Sequence, residues 1–144
     1  MSGLLINIKK NMKIILVCGL SWLVGASLTP ALAMDRLAAL SMLESGNNDA
    51  AIGKAGEVTR FQIKPDLWKK YCRPYPVDAR TNARAARKAA QAILDARCWE
   101  FKHRFHRPPT NFEFYVLWNA PGQILRPGKA VTRRASRFCS LVSS

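Results

Sequence analysis

ESGNNDAAIGKAGEVTRFQIKP, residues 44–65, is the stretch around which the rest of the chain is organised. An apolar helical run over residues 34–43, with Leu37, Leu40, Met42 and Leu43 on one face, ends on the acid Glu44, and Gly46 stops it. The chain then turns repeatedly: Gly46, Gly53 and Gly56 permit positive φ, and Asn47, Asn48 and Asp49 suit tight turns. This order sets one carboxyl at the lip of a cleft. A helix C-terminus opposes negative charge and apolar neighbours penalise it, so both raise the pKa of Glu44 towards what a general acid needs at neutral pH.

Beyond the turns, Val58, Thr59, Phe61 and Ile63 have the shapes of a short strand over residues 58–63, which would close a small hairpin flooring the cleft. Two charged residues there have two readings each. Glu57 is either a second carboxylate across the cleft, as a two-acid glycosidase needs, or an ordinary ion-pair partner of Arg60 or Lys54. Arg60 either meets a carboxylate of the substrate or is a solvated edge residue.

Outward from this stretch, the first 33 residues read as a cleavable secretory signal. Lys9, Lys10 and Lys13 precede an apolar run over residues 14–28, and Ala31-Leu32-Ala33 supplies a small-x-small cleavage site. The run is shorter than the roughly 20 residues a bilayer span requires. Residues 34–144 are then one exported domain, periplasmic or extracellular, with no stable membrane span and room for one modest core. The 144-residue chain carries a formal net charge of +14. Losing the leader removes three lysines and no acids, leaving about +11. Such a charge calls for an anionic partner. No nucleic-acid reader motif accompanies it, so no specific nucleic acid is expected.

The remaining elements are helical. Pro65 opens a short helix through Tyr71 that turns Trp68 towards the core, and residues 72–76 are extended loop. The longest helix spans residues 81–105. Ala83, Ala86, Ala90, Leu94, Cys98, Phe101 and Phe105 form its buried stripe, while Arg84, Lys88, Gln91 and Asp95 form a solvated flank. Thr110 and Glu113 have capping-box spacing and start a helix at Asn111 that carries Phe112, Tyr115, Val116 and Asn119. After Pro127 and Gly128, Val131, Ala135, Phe138 and Val142 mark the apolar side of a last helix. Export permits a disulfide between two of Cys72, Cys98 and Cys139, and the spacing does not choose the pair. A Cys-His nucleophile, or a metal shared by Cys98, His103 and His106, has only coexistence in its favour.

Glu44, Ser45, Gly46, Ala55, Gly56, Gln62, Ile63 and Pro65, followed by Trp118, Asn119, Ala120, Pro121 and Gly122, resemble two motifs of the soluble lytic transglycosylase domain, a lysozyme-like family. Its members carry Glu-Ser-Gly, a small-residue loop and a Gln, then Tyr-Asn-Ala-Gly on a later helix. The resemblance covers roughly residues 37–142 and implies a mainly α, lysozyme-like domain of about five helices with a small β-hairpin or irregular loop under the cleft. It implies cleavage of peptidoglycan between N-acetylmuramic acid and N-acetylglucosamine, with Glu44 as general acid and then base. Ser45, Gln62, Trp118 and Asn119 would bind substrate, joined by Tyr115 and Glu57. The family's Thr59-Arg60-Phe61 counterpart is Gly-Leu-Met, and its later Tyr is Trp118 here. The family also has a Tyr near its end that bonds the catalytic acid; none follows Tyr115, leaving Tyr115 or Tyr71 for that part. No metal or organic cofactor is implied, and a monomer is expected. A lysozyme using water, or a non-catalytic cationic wall binder, are the competing readings.

Overall fold

The computed structural model describes residues 33–71 and 82–143, which form five α-helices: α1 (Arg36–Ser45), α2 (Pro65–Tyr71), α3 (Ala83–Phe105), α4 (Asn111–Asn119) and α5 (Lys129–Val142). A 3₁₀ turn, Pro121–Gln123, follows α4. The class is mainly α. The expected leader, apart from Ala33, the extended loop at 72–76 and Cys72 lie outside the described residues. Among the described residues no helix is long and apolar enough to cross a membrane.

Capping explains where the helices start and stop. Asp35 accepts the Leu37 and Ala38 amides to open α1, two residues later than the apolar pattern implies. The helix runs to Ser45, so Glu44 lies in its last turn, at the helix end where the sequence places it. Gly46, at φ 65°, closes it with left-handed geometry that costs a glycine nothing. Asn82 caps α3, and Thr110 with Glu113 forms the full capping box that opens α4.

Helix α4 is the hub. Phe114, Tyr115, Val116, Leu117 and Trp118 are all buried, so this stretch of the helix is covered on every side and lies between α3 and α5. Phe138 of α5, fully buried, stacks on Phe114 at 5.8 Å and meets Tyr115 at 5.6 Å. Each such ring stabilises the fold by about 1.5–3 kcal/mol relative to exposure. Ala86, Ala90, Leu94 and Phe101 of the expected α3 stripe are buried, but so are Ala85, Ala89 and Ile93. The helix therefore presents a broader face than the stripe, because it receives α1, α2 and α4 together. Its flank of Arg84, Lys88, Gln91 and Asp95 is exposed. Trp68 of α2 is half-buried against the same core.

The expected strand does not form. Val58 makes isolated antiparallel bridges to Ile52 and to Ile63, and no ladder extends from them. Thr59 (φ 70°) and Gln62 (φ 50°) occupy left-handed conformations that extended backbone excludes. The segment is instead an irregular loop pinned by its buried apolar residues, Val58, Phe61 and Ile63.

Candidate active site

Glu44 sits on one wall of an open cleft of about 480 Å³ between the 52–64 loop, α3 and the end of α4. Its side chain is only 6% exposed. Two groups from different helices hold it. The Tyr115 hydroxyl of α4 donates to Oε1 at 2.8 Å, and Nη2 of Arg134 of α5 donates to Oε2 at 2.7 Å. Burial pushes the Glu44 pKa up and Arg134 and Tyr115 pull it down, with burial prevailing and the nearby charge of Glu57 adding to the rise. The Tyr115 hydroxyl is itself driven upward, first by burial and then by Glu44, so it stays a donor at any ordinary pH.

The other expected residues fall into two groups. Gln62, Trp118, Asn119 and Glu57 line the same cleft as Glu44. Trp118 is 8% exposed and meets Phe61 edge-on at 6.5 Å, so its ring is set by the core rather than free to swing. Gln62 Nε2 donates to its own loop at Thr59 O, 3.0 Å away, which leaves its Oε1 for other partners. Ser45 and Tyr115 are not among the residues lining the cleft. Ser45 Oγ donates to the Arg60 carbonyl at 2.8 Å and accepts the Asn48 amide, so it ties the loop to α1 rather than facing a ligand. Tyr115 is fully buried beneath Glu44 and supports the acid from behind. Tyr71, the other tyrosine considered for that part, ends α2 and is half-buried against the core.

Three expectations about partners need correcting. Glu57 pairs with neither Arg60 nor Lys54; its Oε2 accepts the Ala55 amide at 3.0 Å, a tight local turn that satisfies it without a cation. Arg60 forms a two-point pair with Asp49, both arms at 2.6 Å, which takes it away from any ligand. Cys98 and Cys139 carry free thiols, so no disulfide joins these two. Burial raises both thiol pKa values, the opposite of what a nucleophile needs. His103 bonds the Trp99 carbonyl, and among the described residues no cluster of three His, Cys, Asp or Glu side chains is placed to hold a metal ion.

Sequence reasoning missed Arg134 and Arg97. Arg134 precedes the buried Ala135, at the border of the apolar face of α5, and nothing in its spacing marks it. Arg97 adjoins Cys98 in α3; its Nη1 donates to the Leu117 and Trp118 carbonyls at 2.8 Å each and so caps the C-terminal end of α4.

Comparison of the chain with protein-family models, with curated proteins and with solved structures gives no match in any of the three. A buried, hydrogen-bonded carboxyl with an elevated pKa, facing a cleft rimmed by an amide, an indole and a second carboxyl, can give a proton to a bound oxygen and take one back.

Proposed function

We propose that the chain cleaves the glycan strands of peptidoglycan between N-acetylmuramic acid and N-acetylglucosamine, in a lysozyme-like domain exported from the cell. The observation that carries this reading is Glu44: a carboxyl withdrawn from water, anchored by Tyr115 and opening onto a cleft that also holds Gln62, Trp118 and Asn119. Protonated Glu44 gives its proton to the glycosidic oxygen, and the leaving sugar departs with that oxygen. The positive charge left on the sugar is stabilised by the substrate's own N-acetyl group. Glu44, now a carboxylate, then withdraws a proton from the C6 hydroxyl, which closes a 1,6-anhydro ring and makes the enzyme a lytic transglycosylase. Asn119 and Gln62 bind polar substituents, and Trp118 adds the small part of its indole that reaches the cleft. The net positive charge favours a carboxylate-rich wall, an attraction that added salt weakens.

Glu57 favours a second reading, since it shares the cleft and its charge acts on Glu44. With Glu57 assisting, a water takes the place of the C6 hydroxyl and the outcome is hydrolysis. Digestion of purified peptidoglycan by the wild type and by Glu44→Gln tests the proposal. Soluble fragments from the wild type alone are expected, and mass spectrometry separates the outcomes because the anhydro product lacks one water. Release of nothing by either protein sinks the catalytic reading in favour of a cationic wall-binding protein.

A further inference from the structure

Both oxygens of Glu44 are engaged, and only one of their partners is able to let go. Tyr115, on Oε1, is fully buried and its ring is packed against Phe138. Arg134, on Oε2, is 41% exposed, lines the cleft, and among the described residues is otherwise fastened only by a 3.4 Å bond to the Leu43 carbonyl and a distant contact over the Tyr115 ring. While the guanidinium sits on Oε2, its charge opposes protonation of that atom. Burial already prevails over that opposition, and departure of Arg134 removes it, so that Glu44 holds its proton more firmly still.

The cleft indicates where it goes. Four cationic side chains, Lys54, Lys64, Arg97 and Arg134, line it against two carboxyls, Glu44 and Glu57. Arg97 is committed to the end of α4 and Glu57 to its own turn, which leaves Arg134 as the cation nearest the acid with freedom to move. We propose that Arg134 is a positioning residue that leaves Glu44 Oε2 for a carboxylate on the incoming ligand, so that an acidic sugar, and not a neutral one, arms the proton donor. The balance is simple: the guanidinium exchanges one carboxylate for another, and Oε2 takes one proton from solvent. The charge of the site is unchanged overall, since the ligand brings one negative charge and the proton one positive. The charged and titratable groups facing Glu44 are Arg134 from α5, Tyr115 from α4 and Glu57 from the loop, with Lys54 and Lys64 of the loop and Arg97 of α3 along the cleft.

The idea deepens the peptidoglycan reading and rests on it for the source of the carboxylate, the lactyl group of muramic acid wherever no stem peptide is amide-linked to it; its test needs no turnover. Carboxyl ¹³C NMR of the full chain, with Glu44→Gln to assign the signal, follows the titration of Glu44 with N-acetylmuramic acid or with N-acetylglucosamine, which lacks the lactyl carboxylate. In the wild type the acidic sugar raises the Glu44 pKa by about one unit, a tenfold gain in proton affinity, and the neutral sugar does not. In Arg134→Gln the pKa starts at the raised value and no longer responds to either sugar; Arg134→Lys restores part of the response. Thermal unfolding checks that both variants are folded. An equal response to the two sugars, no response to either, or a wild-type titration in Arg134→Gln overturns the proposal. A protein that cleaves no peptidoglycan yet shows the muramate-specific rise loses the reaction and keeps the arginine exchange.

Discussion

Glu44 in the cleft and Glu113 at the start of α4 each bond an arginine and a hydroxyl, and they titrate in opposite directions. Arg107 grips Glu113 with both arms, at 2.6 and 2.7 Å, and Thr110 adds its amide and hydroxyl at 2.9 Å each. The Glu113 pKa falls to about 2, led by the bond from Arg107. Arg134 reaches Glu44 through one arm, at 2.7 Å, and Tyr115 adds one bond, yet the Glu44 pKa goes up. Side-chain exposure, 21% against 6%, separates them, and so does position: Glu113 lies in a first helical turn, where the dipole favours charge, and Glu44 in a last turn, where it does not. An arginine partner therefore does not fix a carboxyl's role. Dehydration decides whether the pair is a structural clasp or a proton reservoir.

Four substitutions break or sharpen this contrast. The largest effect belongs to Glu44→Gln, which keeps the shape and removes the proton. Release of glycan fragments should fall by about a hundredfold to ten-thousandfold or more. Next is Tyr115→Phe, which strips one bond from a charged acceptor and leaves the ring packed on Phe138. It should lower the rate by about ten- to a hundredfold, as loss of a hydrogen bond to a charged group does. Steady-state assays on solubilised glycan strands check both.

At the clasp, Thr110→Ala should cost about 1 kcal/mol of stability, read by denaturant unfolding, with activity unchanged. The pH dependences of the two acids run in opposite senses. Glu113 has a lowered folded pKa, so its contribution is present above the ordinary glutamate value and is lost as pH falls through about 2. Glu44 has a raised folded pKa, so its contribution is full below the ordinary value and is lost as pH rises through the folded one. Glu44→Gln should accordingly be more stable than the wild type at neutral pH, and the gap should close in acid, as replacing a buried charged group by a neutral one of the same shape predicts. The smallest effect is at Gly53. A methyl there collides with Oε2 of Glu57 and Oε1 of Gln62, both ends of flexible side chains, and lies 3.1 Å from Glu57 Cβ, which must shift slightly as well. Gly53→Ala should move these two cleft residues and cost a few-fold in activity, with stability within about 0.5 kcal/mol of wild type.

The helices were legible because their signals are local. Pro65 and Tyr71 bound α2 as the pattern implies, and the Thr110–Glu113 box opens α4 where its spacing places it. The irregular loop was half legible. Its apolar shapes mark Val58, Phe61 and Ile63 as buried, but the left-handed backbone at Thr59 and Gln62 follows from tertiary packing, which a β-propensity rule does not register. In the cleft, Glu44, Gln62, Trp118 and Asn119 were found from motif order, and they do line one cavity. Arg134 was invisible. Ninety residues separate it from Glu44, and its place depends on how α5 packs against α4, for which one cationic side chain among many leaves no trace.

The bond from Ser45 Oγ to the Arg60 carbonyl has a consequence for how this cleft can change over time. The residue next to the acid is also the peg on which the facing loop hangs, so acid and loop base form one unit whose relative placement tolerates little drift. The outer rim, residues 50–56, lies between that peg's two ends and beyond it. Lengthening or recolouring this rim would alter which ligands are admitted while Glu44 keeps its bearings, so selectivity is free to diverge faster than the acid's own setting.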